Sequence, residues 1–338
     1  MGCGWIATHV HLPILSRLRN VEVTALVEPD AERRACALQI TPRASGFESL
    51  HQMLEQDRAD GVIITAPTPA HCSLTLEAMG RGLHVYLEKP IAATLSEGYE
   101  LLEKAERQPG VKMTGFHYRF HSLFREARER LASCELGRAL LATTVFTSSL
   151  SGTEGWRGTD AYGGVLPELG SHHFDLISFL FGQEIASVRA QASGHRTAIV
   201  HLELESGLPL ACSFSFGTAN YECVEIYCER GLLRVNRNLS TSCEVLRAGN
   251  ERERVGAVQA ALGFLKRPKY VLQRMRAPGN EPAYRDALKC FVSAIASGAQ
   301  PSPDFEDGFR SLAVVCAAQE SLRTGIAATP ATVAGVAR

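Results

Sequence analysis

The run Gly2-Cys3-Gly4-Trp5-Ile6-Ala7 has the residue types of a backbone anion cradle. Its glycines permit a tight turn and let main-chain N–H groups approach a pyrophosphate at the start of a helix, which is the GxGxxA form of the dinucleotide fingerprint. An acid, Glu28, follows at the end of the next expected strand, where a carboxylate can bind adenosine ribose hydroxyls. A carboxylate there repels a 2′-phosphate, so NAD is expected in preference to NADP, while Arg33 and Arg34 just downstream leave NADP possible. No metal is expected. His172, His173 and Asp175 are poorly spaced as zinc ligands, and Cys223 and Cys228, an odd separation apart on an expected strand, point to opposite faces.

A cradle of this kind needs βαβ units to hold it, and the first third of the chain alternates short apolar runs with helical patterns as such units require. Strands are expected over Val21–Val27, Gly61–Ala66 and His84–Glu88, with a helix over Ser49–Gln56. Pro69 suits the first turn of a helix ending near Gly80 or Gly82, and Thr94-Leu-Ser-Glu97 is a capping box that opens a helix with Leu95, Tyr99 and Leu102 on one face. From Ala139 the pattern changes: Ala139–Ser148, Thr197–Ser206, Leu208–Gly217, Glu222–Glu229 and Gly231–Arg237 follow one another across short turns, which predicts an antiparallel sheet. The helical period returns at Leu288, Phe291, Val292 and Ile295, then at Phe309, Leu312 and Cys316.

The expected fold is therefore α/β followed by α+β. Residues 1–117 form a Rossmann-type dinucleotide domain with a parallel sheet, and residues 118–338 a substrate-binding and oligomerisation domain on an open, mainly antiparallel sheet with terminal helices. One departure is visible. The fingerprint ordinarily follows a short apolar strand, and the sequence as given starts at the turn, so the first strand of the parallel sheet is expected to be missing. A start assigned too late, a truncated chain and a different way of filling the slot each account for that pattern.

Composition bounds the partners. A chain of 338 residues exceeds one ordinary hydrophobic core, and 45% apolar with 21% charged residues is globular composition. A formal net charge of −1 gives no reason to expect nucleic acid. No apolar stretch is long enough to span a membrane and no signal-peptide series opens the chain, so a cytoplasmic protein without a membrane partner is expected. The 10 cysteines are scattered singly without a CxxC pair, which suggests reduced thiols. Gly263–Pro282 carries Lys266, Arg267, Lys269, Arg274 and Arg276 against the single acid Glu281; it is a solvated connector or helix face, or a basic lid for a phosphorylated or nucleotide-linked substrate.

Leu87-Glu88-Lys89-Pro90 after the His84 strand resembles the signature of the glucose-fructose oxidoreductase and inositol dehydrogenase (Gfo/Idh/MocA) family. Ala66-Pro67-Thr68-Pro69 with His71, Gly115-Phe-His-Tyr-Arg-Phe120, and Gly163-Gly164 leading into Glu168-Leu-Gly-Ser-His172-His-Phe-Asp175 match the family in order along nearly the whole chain. The resemblance implies an NAD(P)-dependent dehydrogenase of a sugar, cyclitol or related polyhydroxylated ring, working as a homodimer or homotetramer through the C-terminal sheet. It assigns the cofactor to Gly2, Cys3, Gly4, Trp5, Ile6, Glu28, Ala66, Pro67, Thr68, His71, Glu88 and Lys89.

The resemblance puts Lys89 beside the nicotinamide and the reacting oxygen, where an ammonium stabilises developing negative charge. His172 is placed as the proton-transferring residue, with Glu168 and Asp175 as its accompanying carboxylates. Tyr118, Arg119, Trp156, Arg157 and Asp175 are placed against substrate, and His173 is expected to pack or cap. Two positions depart from the family: Glu168 replaces the usual aspartate, and His117 stands where asparagine is common. Two other activities fit the same pattern: a redox-assisted lyase or glycosidase that retains NAD, and a dinucleotide-binding protein without catalysis.

Overall fold

The computed structural model describes residues 1–149, 164–248, 272, 275–277 and 281–333. The chain divides into two compact units, the first comprising Met1–His117, Arg276–Phe309 and Val333–Arg338, the second Tyr118–Met275 and Arg310–Thr332.

In the first unit β1 (Ala25–Val27) pairs in parallel with β2 (Ser45–Phe47), and β3 (Gly61–Ile64), β4 (His84–Leu87) and β5 (Lys112–Thr114) form a separate parallel sheet in that order. Burial on both faces explains their continuous apolar character, with Ile64, Val85, Tyr86, Leu87 and Met113 fully enclosed. Among the described residues no strand lies between β1 and β3. At the C-terminal ends of β1 and β3, Met1 and Gly2 lie between the two sheets: the Gly2 N–H donates to Val27 O at 2.8 Å, and the Met1 amino group donates to Ile63 O at 2.7 Å.

Helix α1 (Leu12–Leu15) precedes β1, and α2 (Ala31–Ile40), α3 (Leu50–Gln56), α4 (His71–Gly80) and α5 (Leu95–Arg107) connect the strands in turn. The capping box forms at the start of α5: the Glu97 N–H donates to Thr94 Oγ1 at 3.2 Å, and the Thr94 N–H donates to Glu97 Oε2 at 3.1 Å. Pro69 lies at the start of a 3₁₀ turn, Thr68–Ala70, that runs directly into α4, so its missing N–H falls in the opening turn. The strand expected from Val21 is confined to its last three residues, because only Ala25–Val27 finds a partner in β2.

The second unit is built on a seven-stranded sheet in the order β12-β11-β10-β6-β9-β8-β7. Its strands are β6 (Ala139–Ser148), β7 (Ile185–Ser193), β8 (Thr197–Leu204), β9 (Pro209–Phe216), β10 (Tyr221–Cys228), β11 (Gly231–Asn236) and β12 (Glu244–Arg247). Neighbours are antiparallel except β6 and β9, which run parallel. β7 and β12 extend the expected set: β7 is diluted by alanine and serine, and β12 is a four-residue edge strand.

One face of the sheet packs on α6 (Ser122–Ala132) and α7 (Ser171–Phe181), where Val200, Leu210, Phe214, Val224 and Ile226 join Phe124, Phe174 and Ile177 in one apolar cluster. The period of two along β8, with Ala198, Val200, Leu202 and Leu204 inward, is what assigns this face. Helices α8 (Ala283–Ser297) and α9 (Phe305–Thr324) close the chain. No helix among the described residues is long and apolar enough to cross a membrane.

Candidate active site

The first unit carries the cradle. Gly2 has φ +83°, and a Cβ there would lie 2.6 Å from the Ala66 nitrogen, so the turn at Gly2 and the Ala66 loop are compatible only with glycine. Gly4 differs: a Cβ on it meets nothing within 4 Å, so the backbone here faces open space at the start of the following helical segment. A wide π turn, Ala7–His11, follows before α1. Glu28 is buried behind the turn, its Oε2 accepting the Cys3 N–H at 2.7 Å and its Oε1 the Asp30 N–H at 3.1 Å. Arg34 donates to the Glu28 carbonyl oxygen and pairs with Glu48 at 3.5 Å, while Arg33 is exposed. The Thr68 hydroxyl is buried in the Ala66 loop with no protein partner. Open space over Gly4, an ionisable acid behind the turn and a hydroxyl held in reserve together fit a dinucleotide.

Lys89 follows β4, half-buried and joined to Pro90 by a cis peptide bond. Glu88 before it is buried: its Oε1 accepts from His11 Nε2 at 2.9 Å, and its Oε2 accepts the Lys89 N–H at 3.3 Å. Gly115 leaves room for this carboxylate, since a Cβ there would lie 3.0 Å from it. His71 is a strut: Nδ1 is 2.7 Å from Pro90 O and Nε2 is 2.8 Å from Ala66 O, so one ring spans the Ala66 loop and the residue after Lys89. Complete burial disfavours the imidazolium and lowers its pKa, although two carbonyl acceptors pull the other way. With both ring nitrogens on the main chain, any effect of His71 on a cofactor runs through the loops it joins.

The second unit gathers the residues around α7. Glu168 lies half-buried in a π turn, Leu166–Gly170, that runs directly into α7. His172 is buried one turn later, its ring stacked on Tyr118 with centroids 4.8 Å apart and planes 28° apart. Asp175, a turn further on, takes the Arg119 guanidinium: Nε lies 3.1 and 3.0 Å from its two oxygens, and Nη2 is 2.6 Å from Oδ1. Arg119 and Asp175 thus meet each other as a buried bidentate pair. Tyr118 is almost wholly enclosed, its hydroxyl donating to Glu222 at 2.8 Å. His117, in the first unit, stacks on Tyr284 at 3.8 Å.

Three residues with a part in these clusters escaped the motifs: His11, Glu222 and Arg237. Glu222 did leave a signal, because it shares strand parity with Val224, Ile226 and Cys228, all of which face the core. His173 is fully buried against Phe146 and Phe214, as packing requires, and it also lies 3.3 Å from Glu222. Cys223 and Cys228 are both buried, and Cys228 alone belongs to the inner cluster with Val224 and Ile226. Trp156, Arg157, Gly163 and most of the basic run, including Lys266, Arg267, Lys269 and Arg274, lie outside the described residues. No group of three or more metal-ligating side chains stands among the described residues.

A fingerprint turn on a parallel sheet, followed by a unit with a histidine-bearing helix on an open sheet, defines a nicotinamide-dependent oxidoreductase. Residues 1–116 match the model of the oxidoreductase family with an NAD-binding Rossmann fold, and residues 124–234 match the Gfo/Idh/MocA C-terminal domain. The chain belongs to the Gfo/Idh/MocA family of NAD-binding oxidoreductases. Among its relatives, 1,5-anhydro-D-fructose reductase of Ensifer adhaerens is 27% identical over 92% of each chain. Myo-inositol 2-dehydrogenase of Thermotoga maritima is 22% identical over 95% of each. In fold it is similar to levoglucosan dehydrogenase in complex with NADH and levoglucosan, at a TM-score of 0.81 and 18% identity over 97% of each chain. The WlbA dehydrogenase of Bordetella pertussis in complex with NADH and UDP-GlcNAcA also gives 0.81, at 20% identity over 98% of this chain and 96% of that one.

Proposed function

We propose that this protein reversibly oxidises a secondary alcohol or hemiacetal of a sugar, cyclitol or related polyhydroxylated ring, with NAD preferred and NADP accepted. The observation that carries the reading is the cradle itself, where Gly4 opens onto space and the buried Glu28 side chain accepts the Cys3 N–H. Bound NAD supplies a nicotinamide ring able to take or give a hydride. Glu28 binds the adenosine ribose, and the commitment of Arg34 to the Glu28 carbonyl and Glu48 supports NAD over NADP. Lys89 holds the reacting oxygen and stabilises its developing charge. His172 takes the hydroxyl proton, Glu168 tunes it, and the Arg119–Asp175 pair supports the helix that presents it.

The division of labour we infer is a dinucleotide domain over 1–117 and a substrate and oligomerisation domain over 118–338. Tyr118 backs the substrate side through the His172 ring it stacks on. Outward-facing Leu141 and Tyr227, cross-strand partners on the sheet, and exposed Ile199 support a homodimer or homotetramer through that face. Ten thiols without a disulfide support a cytoplasmic setting.

Alanine at Lys89 or His172 tests the mechanism. Each change should lower turnover of myo-inositol, D-glucose or D-xylose, whichever proves to be oxidised, by about 10²- to 10⁴-fold while NADH affinity stays within about threefold. Near wild-type turnover in either folded variant would sink the hydride-transfer assignment.

A further inference from the structure

The second unit encloses a carboxylate that neither the motifs nor the proposed chemistry uses. Glu222 is 1% exposed, yet its oxygens take three donors: Tyr118 Oη at 2.8 Å and Arg237 Nε at 2.5 Å on Oε2, and His173 Nε2 at 3.3 Å on Oε1. The Arg237 guanidinium also lies 5.2 Å from the centre of the Tyr118 ring. Burial alone raises the Glu222 pKa, but the Arg237 charge, the His173 hydrogen bond and the Tyr118 hydroxyl outweigh it and bring it down to about 2. The group is therefore an anion at neutral pH. An apolar residue would fill the same space without the cost of desolvating a charge, so packing does not account for it.

Its use lies in what its partner touches, for the Tyr118 ring it holds is stacked on His172. We propose that Glu222 is a positioning residue for His172: by fixing the Tyr118 hydroxyl it fixes the plane on which the imidazole lies, and so the direction in which that ring meets the substrate proton. The proposal rests on the reading of His172 as the proton acceptor. Charge balance favours orientation over a long-range field. Arg237 pairs with Glu222 directly, so the charge is balanced within the cluster. A phenol donating to a carboxylate is also richer in electrons, and an electron-rich ring face favours the imidazolium that His172 becomes on taking the proton.

Tyr118→Phe keeps the stacked ring and cuts the strut, whereas Glu222→Gln keeps the shape and removes the charge. Two measurements on the intact protein read the result: turnover of a polyol panel of myo-inositol, D-glucose and D-xylose with NAD, and an NMR pH titration of the His172 ring in the NADH complex, assigned with His172→Gln. Each single variant should lower kcat about tenfold, leave NADH affinity unchanged and move the His172 titration to lower pH. The double variant should be no worse than either single one, because both act through the one Tyr118–Glu222 hydrogen bond. A folded Tyr118→Phe protein with wild-type kcat and an unmoved His172 titration overturns the proposal, as does a double variant whose losses multiply. Should Glu222→Gln fail to fold, Tyr118→Phe decides the question alone. Failure of the underlying reading looks different: His172→Ala would then retain turnover, while the titration arm still reports whether the strut acts on His172.

Discussion

The two units treat buried acids in opposite ways. In the first, Glu28 and Glu88 accept from main-chain N–H groups and one histidine ring, and no side chain among the described residues forms an ion pair with Glu28. In the second, Asp175 and Glu222 are each capped by an arginine guanidinium at 2.6 and 2.5 Å. An acid held by N–H dipoles keeps its charge and spare lone pairs for a ligand, while an acid paired with arginine is spent on the protein's own architecture. The first unit is thus arranged to receive, and the second to hold still.

Replacing the acids should separate these uses. Asp175→Ala removes the buried bidentate partner that Arg119 has in Asp175, which should cost about 3–5 kcal/mol in chemical denaturation. Glu28→Ala orphans the Cys3 N–H and should cost about 1–3 kcal/mol, yet it should weaken NADH binding at least about tenfold, as fluorescence titration would report. Equal stability losses, or an unchanged NADH affinity after Glu28→Ala, would erase the contrast.

The glycines of the cradle sharpen it within one unit. Gly2→Ala combines a positive φ with a main-chain collision at 2.6 Å and should lower the melting temperature by several degrees, whereas Gly4→Ala should melt normally but bind NADH poorly. A Gly4→Ala protein that binds NADH like the wild type would mean the pyrophosphate lies elsewhere.

The smallest effect should appear in acid. The folded-state pKa of His71 is lowered by burial, so its contribution to stability is complete above the unfolded value near about 6.5 and declines as pH falls below it. Glu222 acts in a second window, losing its contribution as pH drops from the ordinary carboxylate range toward about 2. Melting temperatures between neutral pH and pH ~5 should therefore fall less steeply in His71→Gln than in the wild type; parallel slopes would remove His71 as the cause.

The difference in construction also explains what could be read from the sequence. The fingerprint turn, the capping box at Thr94 and the strands at Gly61 and His84 are local, each fixed by neighbours within a few residues, and the chain announces them. The parallel pairing of β6 with β9 is not local, because a period of two identifies a strand and its faces but carries no information about which strand lies beside it. The same holds for the clusters around α7. Tyr118 reaches Glu222 across 104 positions and Arg119 reaches Asp175 across 56, so resemblance could bring Tyr118, Arg119 and Asp175 forward without saying what they bind. Glu222 was legible only as an acid in a core-facing register, an oddity whose partners the sequence leaves unnamed.

The split parallel sheet has a consequence for how the first unit responds to its cofactor. Met1 and Gly2 fasten β1 to β3 at one end, and the same turn is where a dinucleotide would lie, beside the Ala66 loop that Gly2 touches. A ligand seated there bridges two halves of a layer that are joined through few main-chain bonds, so it serves as a cross-brace as well as a reactant. Ligand at about a hundred times its dissociation constant adds about 2.7 kcal/mol to a folded protein. In this unit that increment would fall on the seam, so saturation with NAD would set how rigid the nucleotide domain is between turnovers.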